Sequence, residues 1–353
     1  MTKKIKVLIV DDSLFMRAAI SKTLSSGPFE IVGQAKDGND ALAQVVKLSP
    51  DVITMDFNMP GLNGADTVRE LMQRRPTPVV MFSAHTKQGA KETFDALAAG
   101  AVDFVTKPAG EVSVDISAIA DELVRKVQAA SHARPRVSSP AIRLPPADRN
   151  TPLPAGLTRS TMPTSLAGAL PRLCVVAVST GGPAALSEVI PALPAELRVA
   201  VVVVQHMPAG FTAALAERLH AASRITVKEA SQGDRPFPGT VLIAPGDRHL
   251  EFDDAGMVTL TDGPMVNGCR PAADVTMMSA VKVYGRRTLG VVMTGMGKDG
   301  AAGALAIKKA EGKTAAQDKE TSVIYGMPKA AVDAGAIDEI CALGDIAAWL
   351  RYA

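Results

Sequence analysis

Two sets of polar residues stand at the ends of apolar, β-branched runs, the places where an α/β protein collects its chemistry. In the first set, Asp11 and Asp12 close the run Ile5–Val10 and Asp56 closes Asp51–Met55. Ser83 ends Val79–Ser83, and Lys107-Pro108 follows Asp103–Val105. If the first and third runs are neighbours in a sheet, three carboxylates converge. Like charges that close raise one another's pKa unless a cation holds them. Magnesium, a hard divalent cation with oxygen ligands, suits a few carboxylates plus a phosphoryl group. Asp56 could then be phosphorylated, its new charge neutralised by magnesium and the Lys107 ammonium. One strand-end aspartate alone is a cap or turn residue; the coincidence of all these groups points to chemistry.

The second set begins with Ser179-Thr180-Gly181-Gly182-Pro183, directly after the run Leu173–Val178. Pro183 suits the first turn of a helix, and the glycines permit a tight turn before it. A hydroxyl there lies beside unpaired backbone N–H groups, which bind a phosphate or stabilise an oxyanion. The motif alone fits a nucleotide site as well as a nucleophilic serine. It lacks the Gly-Lys-Ser/Thr ending of a P-loop and the full spacing of a dinucleotide loop. Other strand ends supply His206, after Val201–Gln205, and Asp299, in the loop after Leu289–Met293. A serine needs a base to take its proton, and an imidazole needs an acceptor to fix its tautomer. Singly, His206 reads as a satisfied strand-end histidine and Asp299 as the cap of a helix starting near Ala301. His220 and His249 read as structural. The three strand ends together favour a hydrolytic site, and an imidazole base near about pKa 6.5 predicts activity falling at acidic pH.

The elements that must position these groups follow from periodicity. Strands are expected at the runs named above and at Phe29–Ala35. Helices fill the gaps, among them Ser13–Ser25 with Ser13 as N-cap and Gly64–Arg74 with Ala65, Val68, Leu71 and Met72 on one face. Five such units imply a parallel sheet covered on both faces, in the order 2-1-3-4-5. Alternation resumes after residue 171 with strands at Leu173–Val178, Val199–Gln205, Ile225–Lys228, Thr240–Ala244, Leu289–Met293 and Thr314–Gln317. A hairpin, Leu250–Phe252 with Met257–Leu260, is expected to interrupt it. Between the two lies a segment with prolines at 135, 140, 145, 146, 152, 154 and 163 and interspersed arginines, which reads as a linker. The fold class is therefore α/β, with two doubly wound domains, 1–130 and 172–353, joined by a flexible stretch over 131–171.

Composition narrows the function. With 353 residues, 47% hydrophobic and 21% charged, the chain can bury two cores. A net charge of +2 gives no broad field for nucleic acid, and no basic recognition helix is evident, so a DNA-binding output is disfavoured. Three scattered cysteines, Cys174, Cys269 and Cys341, form neither a disulfide framework nor a zinc cluster. The apolar run before Asp11 is too short for a signal peptide, and no stretch approaches the roughly 18 apolar residues of a membrane span. The expectation is a soluble, cytoplasmic protein without membrane insertion.

Over residues 4–130 the chain resembles the two-component receiver family, through Val10-Asp11-Asp12-Ser13, Met55-Asp56-Phe57-Asn58-Met59-Pro60-Gly61 and Thr106-Lys107-Pro108. The resemblance implies that Asp56 is the phosphoacceptor and that Asp11, Asp12 and Asp56, with the carbonyl of Asn58, hold Mg2+. Ser83, Phe104 and Lys107 would form its switch. From Leu173 onward the chain is similar to the catalytic domain of the chemotaxis protein-glutamate methylesterases. The matching segments are Val178-Ser179-Thr180-Gly181-Gly182, Gln205-His206-Met207-Pro208-Ala209-Gly210-Phe211 and Met293-Thr294-Gly295-Met296-Gly297-Lys298-Asp299-Gly300. That resemblance implies Ser179 as nucleophile, His206 as general base and Asp299 as its orienter, with backbone N–H groups near Thr180 and Met296 holding the oxyanion. It implies a carboxylic ester hydrolase, activated by phosphorylation, that demethylates glutamyl esters and deamidates glutamines and needs no cofactor for hydrolysis. The implied partners are methyl-accepting chemotaxis receptors as substrate and a chemotaxis histidine kinase as phosphodonor, and the implied location is the cytoplasm at receptor arrays. One departure stands out: Gly268-Cys269-Arg270-Pro271 replaces an expected His-Arg-Pro stretch. Arg270, kept, would position a receptor carboxylate; Cys269 is expected to be inert, because no base is evident beside it. A tether would hold the receiver at roughly millimolar effective concentration, enough for it to cover Ser179 until Asp56 is phosphorylated. The competing reading is a receiver with a nucleotide-binding output module.

Overall fold

The strand-end groups converge because the runs that carry them are buried and parallel. The computed structural model describes residues 3–84, 86–107, 119–133 and 170–353. Pro108 and nearly all of the expected linker lie outside the described residues. The first unit runs β1 (Ile5–Val10), α1 (Leu14–Ser25), β2 (Phe29–Ala35), α2 (Gly38–Leu48), β3 (Val52–Asp56), α3 (Gly64–Arg74), β4 (Val79–Ser83), α4 (Lys87–Ala99), β5 (Asp103–Thr106) and α5 (Ala120–Ala130). Its five strands lie in the order β2-β1-β3-β4-β5, all pairs parallel. Ser13 caps α1, its hydroxyl accepting from the Met16 amide, and Asn63 caps α3 in the same way at Asp66. Each cap stops a helix where a strand-end loop must begin, a contribution of about 1 kcal/mol apiece. Val10 pairs with Met55, so the next residue on each strand, Asp11 and Asp56, meet at one edge.

The second unit runs β6 (Arg172–Val178), α6 (Gly182–Val189), β7 (Val199–Gln205), α7 (Phe211–Ala222), β8 (Thr226–Glu229), β9 (Thr240–Ile243), β10 (His249–Phe252), β11 (Val258–Thr261), α8 (Ala273–Tyr284), β12 (Thr288–Val292), α9 (Ala301–Lys309), β13 (Lys313–Gln317), α10 (Met327–Asp333), β14 (Glu339–Cys341) and α11 (Ile346–Tyr352). Seven strands form one parallel sheet in the order β14-β13-β12-β6-β7-β9-β8, while β10 and β11 pair antiparallel as a separate hairpin. The hairpin turn is held by Asp253, whose carboxylate accepts from the Ala255 and Met257 amides. Strand β14 is not foreseen from the sequence: it is three residues long, two of them exposed, so it shows no apolar run. The central strands β12, β6 and β7 are apolar apart from Thr288, Arg172 and Gln205 at their ends, as both faces of a doubly wound sheet are covered by helices. Val202, Val203 and Val204 are fully buried, each contributing about 1.5–3 kcal/mol. Ser179, His206 and the loop to Asp299 leave these three adjacent strands at the same edge.

Candidate phosphorylation site and candidate active site

At the receiver edge, Lys107 Nζ lies 2.8 Å from Asp56 Oδ1 and 3.6 Å from Asp11 Oδ2. Asp11, Asp12 and Asp56 offer ligand oxygens within 4.8 Å of one another. Burial, and then the charge of Asp56, push Asp11 up to about 6 against the pull of Lys107. Burial raises Asp56 as well, again opposed by Lys107. Asp11 Oδ2 is buried with no hydrogen-bond partner among the described residues. Two desolvated carboxylates and one unsatisfied oxygen fit a hard divalent cation. Asn58 follows on the exposed side of the loop. Ser83 faces α4: its Oγ accepts from Thr93 Oγ1 at 2.6 Å and donates to the Gly89 carbonyl at 2.9 Å. Phe104 is buried and stacks on Phe211 of the second unit, with ring centroids 4.6 Å apart and planes 20° from parallel.

At the second edge, His206 Nε2 lies 2.7 Å from Asp299 Oδ2. An ionised carboxylate only accepts, so Nε2 carries a proton, and in the neutral ring Nδ1 holds the free lone pair. Asp299 also accepts from the amides of Ala273 at 2.6 Å and Asp274 at 3.1 Å. It therefore caps α8, not the helix near Ala301 that its own segment leads into. Burial acts to raise its carboxyl, but the hydrogen bond and charge of His206, and then the Ala273 and Asp274 amides, hold it below the usual range. Asn267, which sequence reasoning missed, donates to Asp299 Oδ1 at 3.1 Å and to Asp274 Oδ2 at 2.9 Å. Only the Asn-Gly pair at 267–268, a turn signal, marks that position in the sequence.

Ser179 sits where β6 turns into α6. The turn is closed by Gly181 at φ 77°, and a Cβ at Gly182 would lie 2.0 Å from Gln205 Oε1. Among the described residues Ser179 Oγ has no hydrogen bond to His206; such contacts commonly form only when substrate binds. The backbone N–H groups of Thr180 and Met296 make no hydrogen bond among the described residues, which leaves both available to an oxyanion. Arg270 donates through Nη1 to the carbonyls of Asp262 and Gly263, at 3.2 and 2.9 Å, so part of its guanidinium is committed to that loop. Cys269 corrects an expectation: a base does stand beside it, with its Sγ 3.5 Å from His206 Nδ1. Its loop and the His206 strand end are 63 residues apart, so sequence alone could not pair them.

The receiver meets the second unit next to the serine. Thr180 Oγ1 donates to Asp103 Oδ2 at 2.6 Å in a buried bond, and Asp103 is also paired with Lys126 at 3.3 Å. Lys126 lies over the Phe104 ring at 4.9 Å, and Arg218 reaches Asp95 at 3.1 Å.

The charge state of His206 carries a pH prediction. Burial favours the neutral ring, but the hydrogen bonds to Asp299 and Cys269 outweigh it and push His206 up to about 9. Only the neutral ring accepts a proton, so kcat/KM is expected to rise about tenfold per pH unit from pH 6 toward 9. A raised folded-state value also means that protonated His206 stabilises the fold below about pH 6.5, a contribution lost as pH rises through 9. A pH–rate profile that levels off near 6.5 would contradict this electrostatic picture.

A phosphoacceptor-type acid cluster and a strand-end serine, histidine and aspartate define a response regulator with a hydrolytic output domain. Residues 7–116 match the response regulator receiver domain, and residues 174–350 match the CheB methylesterase family. A protein-glutamate methylesterase/protein-glutamine glutaminase of Symbiobacterium thermophilum is 49% identical over 98% of this chain and 96% of its own length. One of Pyrococcus horikoshii is 44% identical over 98% of this chain and 92% of its own. The solved Thermotoga maritima CheB methylesterase catalytic domain, 43% identical, covers 52% of this chain and 98% of that domain, with a TM-score of 0.50. This chain belongs to the protein-glutamate methylesterase/protein-glutamine glutaminase family, a family of hydrolases. A nucleotide-binding output module is not supported. Among the described residues no helix is long and apolar enough to cross a membrane.

Proposed function

We propose that the chain hydrolyses glutamyl methyl esters on chemoreceptors, and deamidates glutamines, by acyl transfer through Ser179 under the control of Asp56. Ser179 Oγ attacks the ester carbonyl while His206 Nδ1 takes its proton, with Asp299 fixing the ring. The Thr180 and Met296 N–H groups hold the oxyanion, methanol leaves with the proton from His206, and water releases the glutamate. Ammonia leaves instead when the substrate is glutamine, because both routes pass through one tetrahedral oxyanion. Arg270 orients a receptor carboxylate with the part of its guanidinium that the loop does not use. The observation that carries this reading is the meeting of Ser179, the His206–Asp299 pair and two unbonded N–H groups at one sheet edge.

In the same reading the domain limits are 1–130 and 172–353, with the linker between them. Asp11, Asp12, Asp56 and the Asn58 carbonyl would hold Mg2+, which supplies positive charge for phosphoryl transfer; hydrolysis uses protein groups alone. A chemotaxis histidine kinase donates the phosphoryl group, and the enzyme works in the cytoplasm at receptor arrays. Phosphorylation draws Ser83 toward Asp56, where Lys107 already stands, and loosens the Phe104–Phe211 and Asp103–Thr180 contacts, uncovering Ser179.

The test is methanol release from methylated receptors, with and without a small-molecule phosphodonor and Mg2+. Stimulation is expected in the intact protein and not in Asp56→Asn. The Asp103–Thr180 bond is charge-assisted, worth about 1.5–3 kcal/mol where it holds the domains closed. Asp103→Ala should therefore raise the unstimulated rate about tenfold. An unchanged unstimulated rate would remove this bond from the control mechanism, and stimulation that survives Asp56→Asn would move the phosphoacceptor elsewhere.

A further inference from the structure

Two of the cysteines are closed to chemistry. Cys174 and Cys341 are buried in strands, and burial pushes the Cys341 thiol up to about 11 and that of Cys174 further still. Cys269 is different. It is half-buried on the wall of a cavity of about 250 Å3 that His206, Met296 and Lys298 also line. Its Sγ lies 3.5 Å from His206 Nδ1 and 3.7 Å from the Asn267 carbonyl oxygen.

The turn that carries it is built to hold that position. Val266 and Cys269 exchange both backbone hydrogen bonds, at 3.1 and 3.0 Å, around Asn267 at φ 54° and Gly268 at φ 74°. Positive φ at both central residues is the geometry for which Asn-Gly is the preferred pair. The Asn267 side chain then ties the turn to Asp299, the partner of the same imidazole. With Nε2–H given to Asp299, the Nδ1 lone pair faces the thiol. Sulfur, imidazole and carboxylate thus stand in the order of a cysteine nucleophile, its base and the orienter of that base.

We propose that Cys269 is a covalent-modification site, a second nucleophile served by the same imidazole, at which hydroperoxides and soft alkylating electrophiles switch the hydrolase off. In the peroxide reaction His206 Nδ1 takes the thiol proton and the sulfur lone pair attacks one peroxide oxygen. The S–O bond forms, the O–O bond breaks, and the departing hydroxide takes the proton from the imidazolium. The products are a sulfenic acid and water. Two equivalents of a small thiol reverse the step, giving back the cysteine with one disulfide of the small thiol and water. An alkyl iodide reacts similarly, with an S–C bond formed, the C–I bond broken and iodide released. Either adduct stands against Nδ1, the one ring nitrogen free to receive the Ser179 proton, and hydrolysis stops. The loss of activity rests on the reading of His206 as the base for Ser179; the reactivity of the thiol does not.

The test treats the full-length protein at about pH 9, where the neutral His206 ring is populated, with iodoacetamide or hydrogen peroxide, following adducts by peptide mass and activity by methanol release. Cys269 is expected to be alkylated at least about tenfold faster than Cys174 and Cys341, and about threefold or more slower in His206→Asn. Methanol release should fall in step with the Cys269 adduct. Cys269→Ala, whatever its starting rate, should lose nothing on the same treatment, and dithiothreitol should restore the peroxide-treated protein. Alkylation of Cys269 that is indifferent to His206→Asn would overturn the proposal, as would full activity after complete modification. Mass labelling as expected in a preparation that releases no methanol before treatment would instead strike the methylesterase reading and leave the thiol–imidazole pair standing.

Discussion

Ser179→Ala is expected to lower methanol release by about 10⁴–10⁶-fold, leaving the residual rate that the oxyanion site and substrate binding supply alone. Of the two hydroxyls in the turn after β6, that of Thr180 is committed to Asp103, which leaves the Ser179 hydroxyl as the acyl acceptor beside the unbonded Thr180 N–H. Removing it leaves the turn intact, because the chain there is held by backbone contacts. The Ser179 amide donates to the Thr294 carbonyl at 3.0 Å, and the Gly182 amide donates to the Ser179 carbonyl at 2.7 Å. The melting temperature should accordingly stay within a few degrees of the parent. Steady-state methanol release alongside a thermal melt decides the matter: near-parental turnover by a folded Ser179→Ala protein removes Ser179 as nucleophile. In that event Cys269, which shares the base, becomes the residue to replace next.

Asp299→Asn should lower kcat by about 10⁴-fold, for a reason that is electronic before it is steric. Both carboxylate oxygens are used as acceptors: Oδ2 by His206 and the Ala273 amide, Oδ1 by the Asp274 amide and Asn267. An amide group in this place must turn its NH2 toward one of those sets of donors. Facing His206, it forces the ring proton from Nε2 to Nδ1 and abolishes the base. Facing Asp274 and Asn267 instead, it leaves buried donors unpaired, at a cost of about 1–3 kcal/mol. Stability should therefore fall modestly and activity severely. Rates measured well below the melting transition separate the two, and a variant that loses stability but keeps its kcat would show Asp299 to be a helix cap only.

Much of this arrangement is legible in the chain. The parallel order of the receiver sheet follows from β-branched runs alternating with capped helices, and the alignment of Asp11 with Asp56 follows from that order. The same logic sets Ser179 and His206 at the ends of neighbouring strands. Where the reading is incomplete, the missing signal is a weak one. Strand β14 has too few buried residues to show a period, and β3 reaches Asp56 itself rather than stopping at Met55, because strand ends are set by the neighbour's hydrogen bonds.

The sequence by itself determined the two α/β units, the family and the residue types at each strand end, since these depend on local periodicity and short contiguous motifs. Only the tertiary structure decided what those residues meet. Asp299 caps α8 rather than its own helix, Asn267 braces it, Cys269 faces the free nitrogen of His206, and Asp103 of the receiver bonds Thr180 beside the serine. Each of these contacts joins segments 25 or more residues apart, and the Asp103–Thr180 bond spans 77. Such pairings carry no periodic trace in the chain. They arise when two sheets fix their loops in space and buried donors and acceptors must find partners there.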